Sequence, residues 1–267
     1  NQGHDPSLLE LRRFITAVAC RLYGDFPRCH AAEISTRKLF MSLIVLAAGG
    51  TGGHVFPAMA LARELSARGH DLRLLTDARG LKYATEFDPD GIEVIAAGGL
   101  VSGALHKRAG GLLRLARGYF QARGHLARWK PDAVVGFGGF PSAPPMLAAQ
   151  HMRIPTLMHE QNGVMGRANE FVSRGAKQIS AAFPSVEGVP AAAHTKLRVV
   201  GTPIRADIAA VGEAPFPAVE SNINVVVFGG SQGAAVFSRL IPDALALLSQ
   251  DQRQRLDLIS QIRAENR

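Results

Sequence analysis

The sequence is poor in cysteine. Cys20 and Cys29 are its two cysteines, and both lie in the first 40 of 267 residues. Small proteins that rely on disulfides carry several cysteines spread along the chain. We therefore expect no disulfide framework, and the cysteine usage favours a reducing compartment.

Aromatic residues and long apolar runs are scarce as well. Aromatics make up 6% of the chain and are not interleaved with basic residues, as they are in proteins that bind single-stranded nucleic acid. No helix-turn-helix, zinc or RNA-binding motif occurs. No apolar run approaches the roughly 18 residues of a membrane span. Nucleic acid is therefore not an expected partner, and neither is a membrane-spanning anchor.

The charge is strongly one-sided. The net charge of +8 and the pI near 10.1 indicate an anionic partner, which leaves a membrane surface or a phosphorylated substrate. The basic residues concentrate in a segment without acids, the basic segment (107–130): Lys107, Arg108, Arg114, Arg117, Arg123, Arg128 and Lys130. Helical spacing places four residues on one apolar face: Leu112, Leu115, Tyr119 and Leu126. That face is expected to meet the core, while the flanking Leu113 and Phe120, with the basic back, could rest on an anionic membrane.

Apolar strands alternate with helical segments from Met41 onward, which predicts an α/β fold with a parallel sheet covered on both faces. Strands are expected at 43–48, 71–76, 92–95, 132–136, 155–158, 178–180, 197–200, 224–228 and 256–260. Helices are expected at 57–68, 79–86, 109–129, 142–151, 166–174 and 234–249. The proline-containing residues 201–222 are expected to form a linker.

Three parts follow from this pattern. Residues 1–40 differ from the rest and are expected to be an extension without a role in any site. Residues 41–205 form a first Rossmann-like domain, and residues 206–267 begin a second one. About 45 residues in one βαβ unit are too few for an independent core, so the second domain is expected to be incomplete.

Two glycine-rich turns, 49–53 and 229–233, each join a strand to a helix. Such turns present backbone N–H groups to phosphates or sugars. Neither is a Walker A loop. The first approaches a dinucleotide fingerprint, but Val55 replaces the third glycine, and Asp77 stands where an acid would hold a ribose. A nucleotide-binding protein that uses NAD(P) therefore remains the alternative to a sugar transferase.

Several side chains near these turns can carry chemistry. His54, beside a helix N-terminus, should be neutral and can act as a base, orient a hydroxyl, or simply bond locally. Residues 159–162 follow the fifth strand and either line a cleft or support the loop, the latter being expected of Glu160. No second ligand stands at helical spacing, so no metal is expected. Arg205 can bind a diphosphate or be a surface charge, and Ser231 and Gln232 can donate to oxygen atoms.

The motifs occur together in one order: Gly49-Gly50-Thr51-Gly52-Gly53-His54, Gly138-Gly139-Phe140, His159-Glu160-Gln161-Asn162, Pro203-Ile204-Arg205 and Gly229-Gly230-Ser231-Gln232-Gly233. From Met41 onward the chain closely resembles the MurG family. These bacterial enzymes transfer N-acetylglucosamine from UDP-N-acetylglucosamine to the undecaprenyl-pyrophosphoryl-muramoyl-pentapeptide lipid I, which gives lipid II for peptidoglycan synthesis.

The resemblance implies a GT-B fold, an inverting and metal-independent transfer, and no cofactor. It assigns sugar-nucleotide contacts to Thr51, Gly52, Gly53, Asn162, Arg205 and Ser231. It assigns the acceptor hydroxyl to His54, and Gly230, Glu160 and Gln232 are expected to support the site. The basic segment matches the region that meets the cytoplasmic face of the cell membrane, as in a peripheral protein of cell-wall growth and division.

Two departures from the family pattern stand out. Thr202 replaces the asparagine that usually precedes the linker proline, which exchanges an amide for another short polar side chain. The family's later segments, which hold the uracil and ribose, do not follow in this sequence. The resemblance therefore predicts that residues 1–267 do not transfer sugar alone.

Overall fold

The structure is a computed structural model that describes residues 41–85, 87–98, 105–212, 215, 222–229 and 235–261, with the backbone only for 105–108. The expectation for residues 1–40 lies outside the described residues. The chain divides into two compact units, with the boundary between Ala209 and Ala210.

The first unit is built on one parallel sheet. Its strands are β1 (Leu43–Ala47), β2 (Asp71–Thr76), β3 (Ile92–Val94), β4 (Ala133–Gly136), β5 (Thr156–Glu160), β6 (Gln178–Ala181) and β7 (Leu197–Val199). Its helices are α1 (Gly52–Ala67), α2 (Leu105–Trp129), α3 (Ala143–His151), α4 (Arg167–Ser173) and α5 (Ala206–Gly212), which crosses the boundary. Short 3₁₀ turns lie at Leu81–Tyr83, Pro89–Gly91 and Ala191–Lys196. The short helix predicted near 79–86 is the first of these turns.

The strand order is β3-β2-β1-β4-β5-β6-β7. The chain moves outward from β1 through β2 to β3 and then crosses back to lay β4 on the other side of β1. This reversal makes a switch point between β1 and β4, and ligands of doubly wound sheets bind outside the carboxyl ends of the strands at such a point. Strands β1 and β4 pair with each other in parallel over four residues, from Ile44 with Ala133 to Ala47 with Gly136.

The core lies in two layers, one on each face of the sheet. Ile44 and Leu46 of β1 pack with apolar residues of α1, while Val45 and Ala47 pack with residues of α2, α3 and α4. Both faces of β1 are therefore covered by helices, which explains why its sequence is continuously apolar. The predicted parallel α/β sheet covered on both faces is confirmed.

The start of α1 differs from the prediction. The helix begins at Gly52 rather than at Pro57, so the second half of the glycine turn is its first helical turn. A Cβ on Gly52 would lie 2.7 Å from the ring of Phe56, and Val55 is fully buried. This packing outweighs the low helix propensity of glycine.

Strand β5 is longer than predicted and includes His159 and Glu160. His159 pairs with Ser180 and Glu160 with Ala181 in the ladder with β6. Both side chains are buried. The expectation that they follow the strand is wrong, because hydrogen bonds inside the domain allow these polar side chains to be buried.

The face that α2 buries also differs. Its buried residues include Gly118, Ala122 and Leu126, whereas Leu112, predicted for the core face, is 62% exposed. A Cβ on Gly118 would lie 2.0 Å from the Ala96 carbonyl oxygen. The helix thus approaches the segment after β3 through its small residues, which turns Leu112 toward solvent.

Residues 201–222 are not entirely a linker, since α5 occupies part of them. Three alanines in seven residues favour a helix there, and Asp207 lies in its first turn. The predicted linker is therefore partly helical, and it includes the boundary between the two units.

The second unit contains β8 (Ile223–Val227), α6 (Phe237–Ala246), α7 (Gln250–Gln254) and β9 (Leu256–Ser260). Strands β8 and β9 pair in parallel over five residues, so the described part is a βαβ arrangement. The helix predicted over 234–249 is shorter. Ser249 ends it by starting α7 with a capping box, in which its hydroxyl accepts from the Gln252 N–H. The α/β class with a Rossmann-like first part is confirmed.

Candidate functional site at the switch point

The glycine turn after β1 is tight and braced. Gly50 has φ +81°, a conformation that glycine adopts without strain. Its N–H donates to Oδ1 of Asp77 at 2.8 Å, and the same oxygen accepts from the Gly80 N–H at 3.0 Å. The other carboxylate oxygen accepts from Nε of Arg79 at 2.9 Å. Asp77 therefore ties the end of β1 to the end of β2.

This bracing removes the main support for a dinucleotide site. Asp77 is only 6% exposed, and its carboxylate accepts from two backbone N–H groups and from the side chain of Arg79. An acid that binds a ribose must present a free oxygen to its hydroxyls. The NAD(P) alternative is accordingly not favoured by the geometry.

The first turn of α1 contains backbone N–H donors that are available to a ligand. Thr51 is the N-cap residue, and its side chain makes no capping hydrogen bond. Within the described residues, no group accepts from the N–H of Gly52 or Gly53. Unpaired N–H groups and the positive end of the helix dipole favour an anion or an electron-rich oxygen here. The predicted contacts Thr51, Gly52 and Gly53 lie together at this helix start.

His54 lies in the same turn and is half-buried. Its Nδ1 lies 3.0 Å from the carbonyl oxygen of Phe137, the residue that follows β4. Its other edge lies against Gly139, where a Cβ would be 3.4 Å from Nε2. Gly138 and Gly139 both have positive φ, of +85° and +74°. The imidazole is thus held between the glycine turn and the Gly-Gly turn after β4.

Glu160 organises the loop after β5. Its Oε1 accepts from the backbone N–H and the Nδ2 of Asn162, at 3.0 and 2.9 Å. Its Oε2 accepts from the Gly166 N–H at 3.3 Å and from Nδ2 of Asn169 at 2.7 Å. The carboxylate is 1% exposed, so these bonds replace its hydration. Because Nδ2 of Asn162 is engaged, the exposed Asn162 has its Oδ1 left to accept from a ligand.

His159 lies in the core rather than in the cleft. The Ser180 hydroxyl donates to the Met158 carbonyl, so Ser180 Oγ accepts from Nδ1–H of His159 at 3.0 Å. Nε2 is buried and has no partner in the described part of the chain. Burial lowers the pKa of His159 to about 4. This histidine is neutral near pH 7 and is a structural residue.

Arg205 is exposed beside the start of α1. Its guanidinium pairs with both carboxylate oxygens of Asp207, at 3.2 and 3.1 Å. Its Cζ lies 5.7 Å from the centre of the Phe56 ring, two residues after His54. The structure thus brings Arg205 near the same helix turn. Gly230, Ser231 and Gln232 lie outside the described residues.

Some contributors to the site were not identified from the sequence. The sequence pattern places Asp77 where an acid would hold a ribose, and it does not indicate the bond between Asp77 and Arg79. The position of Arg79 after the end of β2 is the one sequence signal for its presence at this sheet edge. Asn169 lies on a helix with no motif of its own. The Phe137 carbonyl is a backbone group and gives no sequence signal.

The surface of the basic segment carries apolar side chains. Leu113 is 73% exposed and Phe120 is 69% exposed, on the same helix as the exposed Leu112. Arg128 is paired with Glu93 at 2.9 Å, whereas Arg117 and Arg123 are simply exposed. In the part of the chain that the structure describes, no helix is long and apolar enough to cross a membrane. The same described residues contain no cluster of three potential metal ligands.

The strand order of the parallel sheet reverses at β1 and β4, and the sheet carries a braced glycine turn at its carboxyl edge, which defines a doubly wound Rossmann-like domain. In such domains the switch point is the candidate ligand site. Residues 44–181 match the Glycosyltransferase family 28 N-terminal domain. The chain belongs to glycosyltransferase family 28.

Named relatives agree with this assignment. The chain is 48% identical over 230 residues to the UDP-N-acetylglucosamine–N-acetylmuramyl-(pentapeptide) pyrophosphoryl-undecaprenol N-acetylglucosamine transferase of Methylorubrum populi, covering 85% of this chain and 62% of that protein. It is 41% identical over 224 residues to the enzyme of the same name from Maricaulis maris, covering 83% and 61%. The chain thus spans about three fifths of the length of these curated relatives.

Solved structures give the same result for the fold. The crystal structure of MurG from Acinetobacter baumannii matches with a TM-score of 0.58 at 26% identity, over 82% of this chain and 66% of that one. The kitacinnamycin glycotransferase matches with a TM-score of 0.57 at 17% identity, over 85% and 67%, which shows a shared fold alone. The resemblance to the MurG family is confirmed.

Proposed function

We propose that this chain carries the acceptor-side part of a transferase that moves N-acetylglucosamine from UDP-N-acetylglucosamine to lipid I. Family membership supports the class of reaction, and the substrates are those for which its relatives from Methylorubrum populi and Maricaulis maris are named. The observation that carries the proposal is the position of His54 beside two N–H groups that find no acceptor in the part of the chain that the structure describes. Its Nδ1 contacts the Phe137 carbonyl oxygen.

The proposed chemistry is an inverting displacement. The acceptor hydroxyl oxygen attacks the anomeric carbon of N-acetylglucosamine. The bond between that carbon and the diphosphate oxygen breaks, and UDP leaves. His54 Nε2 takes the hydroxyl proton as a general base. The leaving diphosphate needs hydrogen-bond donors. We assign these to Arg205 and to the turn with Gly230, Ser231 and Gln232.

The donor sugar is proposed to lie against the turn at Thr51–Gly53 and against Asn162. The N–H groups of Gly52 and Gly53 have no acceptor among the described residues and suit sugar or phosphate oxygens. The Oδ1 of Asn162 suits a sugar hydroxyl, because Nδ2 is bonded to Glu160. This division gives the turn a role in sugar recognition and Glu160 a role in orienting Asn162.

A peripheral location at the cytoplasmic face of the membrane belongs to the same proposal, since lipid I is a membrane lipid. Exposed Leu112, Leu113 and Phe120 next to exposed arginines form the kind of surface that binds an anionic bilayer. Through it the protein would take part in cell-wall growth and division.

The proposal is tested by measuring sugar transfer with a fusion protein, called the full-length version. In it, this chain is continued with the C-terminal part of the Methylorubrum populi relative. We expect transfer of labelled N-acetylglucosamine to a lipid I analogue, and a 10²- to 10⁴-fold loss of kcat in His54→Ala. His194→Ala, at an exposed histidine, is the matched control and should keep normal turnover. Normal turnover of His54→Ala would remove the base from the proposal. A thermal shift with NAD(P) but not with UDP-N-acetylglucosamine would overturn the proposal as a whole.

A further inference from the structure

Two side chains share one carbonyl oxygen at the switch point. The Phe137 oxygen lies 3.0 Å from Nδ1 of His54 and accepts from Nε2 of Gln161 at 2.6 Å. His54 follows β1, Phe137 follows β4 and Gln161 follows β5, and these three strands are neighbours in the sheet. The contact therefore joins three adjacent strand ends around a single acceptor.

The acceptor fixes the tautomer of His54. A carbonyl oxygen has no proton to donate, so the hydrogen of this bond must be on Nδ1. A neutral imidazole carries one N–H, which leaves Nε2 with a free lone pair. Only this tautomer has a basic nitrogen on the edge of the ring that lies against Gly139.

Gln161 holds that acceptor in place. The carbonyl of Phe137 leads into Gly138 and Gly139, and glycine gives a peptide group more rotational freedom than other residues do. Oε1 of Gln161 is buried and has no partner among the described residues, so its donation to Phe137 is the bond that orients the amide. Next to it, Asn162 is anchored on Glu160 through two hydrogen bonds. Gln161 thus connects a rigid loop to the carbonyl.

We propose that Gln161 is a positioning residue for His54. By occupying the second lone pair of the Phe137 oxygen, it keeps that oxygen aimed at Nδ1–H and so keeps Nε2 unprotonated for the acceptor hydroxyl. Gln161 itself contacts neither substrate. The catalytic consequence rests on the proposed function, whereas the effect on the tautomer does not.

The tautomer is measured by nitrogen NMR of histidine-labelled chain 1–267, with the His54 signals assigned from a His54→Asn variant. We expect a protonated Nδ1 and an unprotonated Nε2, and in Gln161→Ala a shift of population toward the Nε2–H form. Gln250→Ala, at an exposed glutamine of α7, is the control and should match the wild type. A wild-type His54 protonated on Nε2, or a Gln161→Ala spectrum equal to that of the wild type, would overturn the inference.

Activity of the full-length version adds a second readout. We expect Gln161→Ala to lower kcat about tenfold with KM within twofold, because the base is misdirected while the binding groups remain. In Gln161→Glu an ionised carboxylate cannot donate to the carbonyl, but a protonated one can. Its kcat relative to wild type should therefore recover toward low pH. An unchanged kcat in Gln161→Ala would overturn the catalytic role, and an inactive wild type would count against the proposed function while the tautomer still decides the positioning.

Discussion

Oδ1 of Asp77, which follows β2, accepts at 2.8 Å from the N–H of Gly50, which follows β1 and lies 27 positions earlier in the chain. The same oxygen accepts from Gly80, and a Cβ on Gly49 would lie 2.7 Å from it. The shape of the glycine turn is therefore set by a side chain from the neighbouring strand as well as by its own glycines.

Replacing Asp77 tests this brace. We expect Asp77→Ala to lower the free energy of unfolding by about 2–3 kcal/mol, because buried N–H groups lose a charged acceptor. Asp77→Asn keeps one acceptor oxygen and should lose less. Urea denaturation measures both, with Asp90→Ala, an exposed acid, as the control expected within about 0.5 kcal/mol of wild type. Equal stabilities of Asp77→Ala and Asp90→Ala would show that the turn does not need the brace.

Glu160 offers a second test of a buried carboxylate. Glu160→Ala leaves four donors without their acceptor, two from Asn162 and one each from Gly166 and Asn169. We expect a loss of about 3 kcal/mol or more in the free energy of unfolding, since bonds to charged groups are worth about 1.5–3 kcal/mol each and are not additive. Urea denaturation measures the loss. Glu170→Ala, on the exposed side of α4, should cost about 1 kcal/mol or less. A similar cost for both variants would contradict this role of Glu160.

The sequence predicts the layered α/β fold because apolar strands and amphipathic helices have different patterns of apolar residues. The continuous apolar run of β1 predicts a strand buried on both faces. It also brings Thr51, Gly52, Gly53 and His54 to one turn, since they are consecutive. The Phe137 carbonyl could not be predicted, because backbone atoms carry no residue signal. Leu112 was misplaced because the periodicity of large apolar residues does not register the close approach of small ones such as Gly118.

The exposed apolar side chains of α2 predict membrane binding. We expect the triple change of Leu112, Leu113 and Phe120 to serine to weaken binding to vesicles with phosphatidylglycerol at least tenfold, because each side chain buried in a bilayer contributes about 1.5–3 kcal/mol. Arg117→Gln with Arg123→Gln should weaken it further and reduce its salt dependence.

Co-sedimentation with vesicles measures this binding, with pure phosphatidylcholine as the neutral surface. Leu247→Ser is the matched control, since Leu247 is 88% exposed but lies outside the basic segment. If the triple variant binds phosphatidylglycerol vesicles as tightly as Leu247→Ser does, α2 is not the membrane surface.

The buried histidine of β5 predicts a pH dependence of stability. The pKa of His159 is about 4 in the folded chain and 6.5 when unfolded. Between these values the unfolded state binds more protons, so stability falls as the pH drops from about 6.5 to about 4 and changes no further below that. The loss is on the order of 3 kcal/mol. Well above pH 6.5 the ring is neutral in both states and contributes no slope.

Carboxylates titrate in part of the same window, so the comparison is between variants. His159→Leu should lose the part of the slope that belongs to this ring, whereas His194→Leu, at an exposed histidine, should keep the wild-type slope. Urea denaturation at closely spaced pH values between 4 and 7 measures the difference. Parallel curves for wild type and His159→Leu would contradict a buried, uncharged His159.

Two glycines of α2 predict opposite effects of the same substitution. Gly124 has open space around its Cβ position, so Gly124→Ala should raise the free energy of unfolding by about 0.5–1 kcal/mol through helix propensity alone. At Gly118 the new methyl would lie 2.0 Å from the Ala96 carbonyl oxygen. Gly118→Ala should therefore force α2 away from the segment after β3 and lower the free energy of unfolding by about 1–3 kcal/mol. Urea denaturation measures the free energy of unfolding of both variants. The two residues lie on the same helix and receive the same substitution, so each variant is a control for the other. Stabilisation by both substitutions would mean that α2 does not approach the segment after β3 through Gly118.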